Sequence, residues 1–361
     1  MLRVGHHVLG PPGEAKRPSV GRAGKLRGLT GERVTSVDVA RRVGVSQSTV
    51  SLVFSGKAAG RISARTEAAV REAAAELGYR PNVAARALKT GAARTIVLVV
   101  PDITNPFFAE YARALEVAAA AHGYVLVVAT SEGNEAHESR ILSDLSNRHV
   151  DGLLISSVLP PSGFRAMTSP ERPLVLIDCL TPHPGYAAVG ADAREGARGL
   201  VDHLITVHGY QSIALITGES STPAPEPRER GWADAFQAHD LPPGPILRTS
   251  FSRRGGYEAA LRLLSWPTRP RAIFATSDQL STGALKAIRE AALRCPEDIA
   301  VVSYDGSSES EYCWPPLTVA RQPIRAMAEA AVSMVLNPSP SAGYQCFATE
   351  LIIRESCGCP S

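Results

Sequence analysis

Apolar residues recur along this chain in two rhythms. Between Val34 and Gly91 the spacing is helical. Val37, Val39, Ala40 and Val43 are expected to form the apolar face of a first helix. Thr35 caps it, with Asp38 three residues on in a capping-box pattern. Gly44 supplies a tight turn and Val45 a buried contact. Ser46 caps a second helix reaching about Phe54, with Thr49, Val50 and Val53 inward. A third helix is predicted from about Ala64 to Leu77, burying Ala69, Val70, Ala73, Ala74 and Leu77. Two short helices joined by a glycine-containing turn read as a helix-turn-helix, whose second helix enters the major groove of DNA.

From residue 95 the rhythm changes. Short apolar runs alternate with helical patterns: Ile96–Val100, Val125–Ala129, Leu153–Ile155, Leu174–Ile177, Ile213–Ile216, Ala272–Ala275 and Ile299–Val302. Parallel strands buried on both faces give such near-continuous runs, so this part is predicted to be a doubly wound α/β body. Ligands bind beyond the carboxyl ends of such strands. Asp102 to Phe108, Ser277 with Asp278, and Asp305 fall at those positions.

Charge sharpens the division. Residues 1–94 hold 17 Lys and Arg against 6 Asp and Glu, and the remainder holds 21 against 29. A basic head on an acidic body suits a chain that docks on phosphate through one end. No apolar run reaches the roughly 18 residues of a membrane span, and the N-terminus lacks the apolar stretch of a secretory signal. Residues 1–31, rich in Gly, Pro and basic side chains, are expected to be a disordered basic extension. The six cysteines read as cytoplasmic thiols. Cys357-Gly-Cys359 lacks the spacing of a zinc pair, and no second Cys/His pair stands out among nine scattered histidines, so no metal or cofactor is expected.

The chain resembles the LacI/GalR family of bacterial transcription repressors from about Val34 onward. VTSVDVARRVGVSQSTVS is similar to the family's DNA-reading signature, and AAELGYRPNVAARAL to its third helix and hinge. TIVLVVPDITNPFF, VDGLLI, RERGWADAF, IFATSDQLSTGALKAI, PEDIAVVSYDG, PPLTVARQP and LIIRESCG follow in register. The resemblance implies a helix-turn-helix domain at 32–80, a hinge helix at 81–94 and an effector-binding, dimerising core at 95–361. It implies a two-lobed, periplasmic-binding-protein-like core that the chain crosses three times, with one lobe at about 95–208 and 321–344 and the other at about 209–320 and 345–361. A homodimer on double-stranded, pseudo-palindromic operator DNA follows, acting in the cytoplasm at the nucleoid.

The same resemblance assigns candidate residues. Gln47 and Ser48 match the positions that read bases, where Gln suits adenine and Ser several bases. Leu52 stands where well-known members often have Arg; it cannot donate to guanine but can touch a thymine methyl. Thr35, Ser46, Thr49 and Ser55 are phosphate candidates, although Thr35 and Ser46 also serve as caps. The hinge, with Asn82, Ala85 and Leu88, would enter the minor groove, Leu88 wedging between base steps. Around the effector, Phe107 and Phe108 match aromatic lining positions, Arg228 a residue gripping hydroxyls or carboxylate, Asp305 an acceptor of hydroxyl bonds, and Phe251 a stacking ring. Asp192 and Ser277 are weaker matches, since the family commonly has Asn where Ser277 stands. Two acids, an arginine and aromatic faces suit a sugar or sugar derivative, with a nucleobase or nucleoside as the alternative. A transported-solute binder would need a signal peptide and no helix-turn-helix. An enzyme is disfavoured, because no P-loop, GxSxG or HExxH is present.

Overall fold

The computed structural model describes residues 34–55, 58–80, 93–146, 150–159, 173–219, 225–339 and 343–360. The expected extension at 1–31, and Asn82, Ala85 and Leu88 of the hinge, lie outside these residues. The chain divides into two compact units, Met1–Asn82 and Val83–Ser361.

In the first unit, α1 (Ser36–Val43), α2 (Gln47–Phe54) and α3 (Ala64–Leu77) surround one small core. Val39, Ala40, Val50, Val53, Val70, Ala73 and Ala74 fill it, and Val43, Val45, Phe54 and Leu77 pack against them. Val37 departs from the expected face and is exposed. It lies two residues, roughly 200°, around the helix from Val39, whereas Ala40 and Val43 share the buried side. The cap of α1 forms as its sequence implies: the Thr35 backbone N–H and hydroxyl both donate to an Asp38 carboxylate oxygen, at 2.9 and 2.7 Å. The Thr35 hydroxyl bond holds Asp38 below the usual carboxylate range. Gly44 takes the left-handed conformation, φ 77°, that lets the chain turn sharply into α2. Ser46 then accepts the Thr49 backbone N–H at 3.1 Å.

The second unit contains two six-stranded sheets. The first is ordered β11-β5-β4-β3-β1-β2 and is parallel throughout. It comprises β1 (Thr95–Val100), β2 (Val125–Thr130), β3 (Gly152–Ile155), β4 (Leu174–Leu176), β5 (Ala187–Ala191) and β11 (Tyr344–Phe347). The second is ordered β12-β10-β9-β8-β6-β7, parallel except for β12 on β10. It comprises β6 (Ile213–Gly218), β7 (Ile246–Thr249), β8 (Ala272–Ala275), β9 (Ala300–Asp305), β10 (Thr318–Arg321) and β12 (Glu350–Ile352).

Helices cover the sheets, as parallel strands demand. On the first sheet, α4 (Pro106–Ala121) and α11 (Ile324–Leu336) share a core in which Phe107, Tyr111 and Leu115 meet Met327, Ala331 and Val335. Helix α5 (Glu135–Ser146) sends Leu142 into a core on the same sheet with Val97, Val99, Leu153 and Ile155. On the second sheet, α6 (Ala193–Thr206) and α7 (Pro227–Ala238) bury Leu200, Leu204, Trp232 and Phe236 against one face. Helices α8 (Arg253–Leu264) and α9 (Asp278–Glu290) cover the other with Leu263, Leu280 and Ile288. Gly231 is required where α7 meets α6, because a Cβ there would lie 2.0 Å from the Arg194 carbonyl oxygen.

These placements move two of the expected lobe exchanges. The resemblance assigns residues 193–208 to the first lobe, but α6 packs on the second sheet, so the chain crosses over directly after β5. Tyr344–Phe347 pairs with β5 in the first sheet, so the last exchange falls between β11 and β12. Helical periodicity cannot reveal which sheet a helix covers, which is why the sequence did not place them. Strand β2 also departs from expectation. Its run VLVVAT reads as buried, yet it is an edge strand with Val125, Val127 and Val128 exposed.

Candidate functional site

Helix α2 begins with three exposed polar side chains. Ser46, Gln47 and Ser48 occupy its N-cap and first two positions, while Val50 and Val53 hold the opposite face in the core. The Gln47 amide donates to the Ser36 hydroxyl at 3.0 Å, and the Ser46 and Ser48 hydroxyls lie 2.7 Å apart. Thr49 and Leu52 are half-buried, and the exposed Ser55 hydroxyl donates to the Leu52 carbonyl. Arg41 and Arg42 on α1 project into solvent with only peripheral ion pairs to Asp38 and Glu76. The helix thus offers amide and hydroxyl groups to a partner, with guanidinium groups for phosphate beside them.

In the second unit, polar groups converge where the strands of both sheets end. Asp178 follows β4, Ser156 follows β3, Asp305 ends β9 and Gln322 follows β10. Arg228, on the first turn of α7, is the charged centre and is buried. Its Nε and Nη2 donate to the two Glu226 carboxylate oxygens at 2.9 and 2.7 Å, and Nη1 donates to the Thr276 carbonyl at 2.6 Å. The Phe251 and Tyr304 rings lie 5.3 and 5.4 Å from the guanidinium carbon, within cation–π range. Gly218 admits the Phe251 ring, because a Cβ there would lie 1.8 Å from it. Burial works against the charge of Arg228, but Glu226 more than offsets it and holds the pKa above its ordinary value.

The acids are all pushed toward their neutral forms. Burial raises Asp178 to about 7, against the opposing pull of Arg228. Burial and the neighbouring Asp278 push Asp305 well above the carboxylate range, again against Arg228. Gln322 Nε2 donates to Asp305 Oδ1 at 3.1 Å. Asp278 is raised to about 6 by burial, although the Ser303 and Ser307 hydroxyls donate to it at 2.7 and 2.6 Å. Both Asp178 and Asp305 have positive φ, 53° and 106°, a conformation non-glycine residues hold only where the surroundings enforce it.

Four buried polar atoms have no hydrogen-bond partner among the described residues: Tyr111 Oη, Ser131 Oγ, Tyr304 Oη and Gln322 Oε1. Tyr304 lies over the Arg228 guanidinium and Gln322 donates to Asp305, so two of these atoms belong to the cluster, whereas Tyr111 packs against Phe107 in the first-sheet core. An unmet buried polar atom costs roughly 1–3 kcal/mol, which a polar occupant would relieve. Two bonds span the lobes nearby: the backbone N–H and hydroxyl of Ser308, which precedes the short helix α10 (Glu309–Tyr312), donate to Glu110 on α4 at 2.7 and 2.6 Å.

Of the sequence candidates, Arg228, Phe251 and Asp305 meet in this cluster. Phe107 and Phe108 do not; they pack edge-to-face, 5.2 Å apart, in the first-sheet core. Ser277 is buried, and its hydroxyl accepts the Leu280 N–H as the cap of α9. Asp192 caps α6 and lines a cavity of about 250 Å³ with Arg194, Arg230 and Tyr344, which none of Asp178, Arg228 or Asp305 lines. Sequence reasoning did not select Asp178, Glu226, Tyr304 or Gln322. A signal existed for Asp178, the first charged residue after the buried run LVLI, as Asp305 is after AVVSY.

Elsewhere, the expectation of no Cys/His partners for Cys357 and Cys359 fails. His203 and His208 lie beside them, with all four ligand atoms within 4.8 Å of one another. The unmarked signal was the His203–His208 spacing, H-x4-H, at the end of α6.

Known proteins fit this division of the chain. Residues 35–82 match the profile of bacterial regulatory proteins of the lacI family, and residues 201–357 match that of the periplasmic binding protein-like domain. The ribose operon repressor of Escherichia coli K12 is 34% identical over 84% of this chain and 92% of its own length. The transcriptional repressor CytR of the same organism is 31% identical over 89% and 96%. Among solved structures, a lac repressor dimer bound to operator and the anti-inducer ONPF superimposes with a TM-score of 0.80 at 28% identity, covering 90% of this chain and 99% of that one. A regulator from Enterococcus faecium with bound ribose superimposes with a TM-score of 0.65 at 27% identity, covering 73% and 98%.

Proposed function

The chain belongs to the lacI family of bacterial regulatory proteins, and on that premise we propose that it is a repressor whose grip on operator DNA is set by a sugar bound around Arg228. It is a DNA-binding transcription regulator rather than an enzyme. The observation that carries the sugar reading is the Arg228 cluster. A guanidinium and carboxyl groups from both lobes bond ring hydroxyls, the unpartnered Tyr304 and Gln322 atoms take up more, and the Phe251 face covers the apolar side of the ring. Relatives named for ribose, or solved with it, make a pentose the first sugar to test.

In this reading the site residues are Arg228, Asp178, Asp305, Gln322, Tyr304 and Phe251. Asp192 serves as a cap near the lobe exchange, and Phe107 and Phe108 as support beneath the cleft. Gln47 and Ser48 read bases, while Thr35, Ser46, Thr49, Leu52 and Ser55 contact the backbone or methyl groups around them. The hinge at 81–94 reaches the minor groove. The regulator works in the cytoplasm, at the nucleoid.

Pairing of two copies is supported by the apolar surface. The edge strand β2 leaves Val125 63% exposed, and Tyr312 and Trp314 in the second lobe are 84% and 86% exposed. An isologous pair that covered these side chains would bury each of them in both copies.

The test is a thermal-shift screen of the full chain against ribose, other pentoses, hexoses, disaccharides, nucleosides and amino acids. A ligand at about 100 times its Kd stabilises the fold by roughly 2.7 kcal/mol. The hit is then added to the protein on a selected operator, followed by fluorescence anisotropy. A sugar that raises Tm and changes operator affinity is the expected result. A response to nucleosides alone would replace the sugar reading, and no response to either class would overturn the pocket assignment.

A further inference from the structure

His203 stands on the last turn of α6 and His208 in the turn that follows it. Cys357 ends a short 3-10 turn, Glu355–Cys357, which leads out of β12, and Cys359 follows after Gly358. These elements come from segments about 150 residues apart and bring two imidazoles and two thiols to one point. Cys359 Sγ lies 3.4 Å from His208 Nε2 and 3.6 Å from His203 Nε2. A tetrahedral zinc ion with Zn–S near 2.3 Å and Zn–N near 2.0–2.1 Å sets its S···N edges at about 3.5 Å. The observed separations already match those edges.

The surroundings are shaped for it. Cys357 is buried and the other three residues are half-buried, so the point is shielded from water yet reachable by an ion. Gly358 has φ 110°, which turns both flanking cysteines to the same side, and a Cβ there would stand 3.2 Å from the His208 ring. Tyr210 stacks on His208, with centroids 5.3 Å apart and planes 21° apart, and so fixes that ring. The donor set is S2N2, one of the sets that tetrahedral structural zinc takes in proteins.

We infer that His203, His208, Cys357 and Cys359 form a closed, structural site for a zinc-type divalent ion in the second lobe. Binding displaces one proton from each thiol, and two thiolates then neutralise the dication while both imidazoles bind as neutral donors. Four protein ligands leave no open position, so the ion holds the fold and performs no hydrolysis. It ties the turn after β12 to the end of α6. The neighbouring Ser356 locks that turn to the sheet: its hydroxyl donates to the Val301 carbonyl and accepts the Thr318 N–H.

The test uses the full chain, stripped with a chelator under reducing conditions and then given Zn2+ or Co2+ alone. One zinc per chain should survive desalting, measured by plasma mass spectrometry. The cobalt form should show tetrahedral d–d bands with thiolate charge transfer, and zinc should raise Tm by roughly 5 °C. Cys359→Ser and His208→Ala should each lower affinity at least tenfold, whereas Cys346→Ser, at an exposed cysteine outside the cluster, should bind as the wild type does. An octahedral cobalt spectrum, or no retained zinc, overturns the site on wild-type protein alone, whatever the variants do. Full zinc uptake by Cys359→Ser overturns the ligand set. A mass two hydrogens low without reductant, restored by reductant and with no metal bound, assigns the pair to a disulfide instead.

Discussion

Replacing Arg228 with alanine isolates what the guanidinium does. The side chain is one-tenth exposed and its Glu226 partner one-fifth. Three donated bonds vanish, two of them to a carboxylate. Breaking one side of a buried ion pair costs about 3–5 kcal/mol, because the remaining charge is stranded. Glu226 keeps one partner, the Thr217 hydroxyl at 3.1 Å, so the lower figure applies. About 3 kcal/mol corresponds to a fall in Tm of roughly 6–12 °C for a unit of this size. The loss also depends on pH. Arg228 opposes the burial-driven rise of Asp178, which titrates at about 7 in the folded protein. Below that value the Asp178 carboxyl is neutral and gains little from Arg228. Above it the carboxylate is charged and needs the cation. The Tm deficit of Arg228→Ala should therefore be larger at pH 8 than at pH 5.5. Adding Glu226→Ala should recover part of it, and the double-mutant cycle, read by urea unfolding of the core transition, should give a coupling above ~1 kcal/mol. A deficit below 1 kcal/mol, or one equal at both pH values, would refute the electrostatic account of the cleft.

Asp178→Asn should flatten the pH dependence of stability. The folded pKa is raised, so wild-type stability from this group is full below about 3.9 and falls as pH climbs toward 7, by on the order of 2 kcal/mol once partial exposure is allowed for; calorimetry across pH 4–8 checks the slope. Asp305→Asn should melt closer to wild type than Asp305→Ala does, because the amide keeps an acceptor for the Gln322 bond; calorimetry at pH 7 checks the order. Asp305→Ala should lose roughly 1–3 kcal/mol, and it should abolish the effector response while leaving operator affinity intact. Glu110→Ala removes the Ser308 bonds between the lobes; this exposed contact should cost under ~1 kcal/mol, yet small-angle scattering should show a larger radius of gyration.

Much of this architecture is legible in the chain. The three helices of the head follow from their caps and apolar spacing, and α3 begins and ends where Ala64 and Leu77 predict. Strands β1, β3, β6, β8 and β9 announce themselves because both faces are covered. Strands β7, β11 and β12 do not, since edge strands alternate polar and apolar residues and need no long apolar run. Strand β5, AAVGA, is buried but built of small side chains, and Gly190 is there because a Cβ would lie 1.7 Å from the Cys179 carbonyl oxygen. The cleft was half legible. Arg228 and Asp305 stand in recognisable motifs, whereas Gln322, Glu226 and Tyr304 acquire meaning only when separate strand ends meet. The histidine and cysteine group was least visible, because its members are distant in sequence and join only when the turn after β12 folds against α6.

The lateness of β11 has a consequence for how the protein is made. The first sheet lacks one edge until Tyr344–Phe347 is available to pair with β5, and α11, which fills the core against α4, precedes it only slightly. A ribosome therefore releases a finished DNA-reading head long before the lobe attached to it can close. During that interval the unfinished sheet exposes an unpaired β5 edge and the apolar faces that α11 will cover, the kind of surface to which chaperones bind. Any truncation before β11 would leave a chain whose head folds and whose first lobe does not.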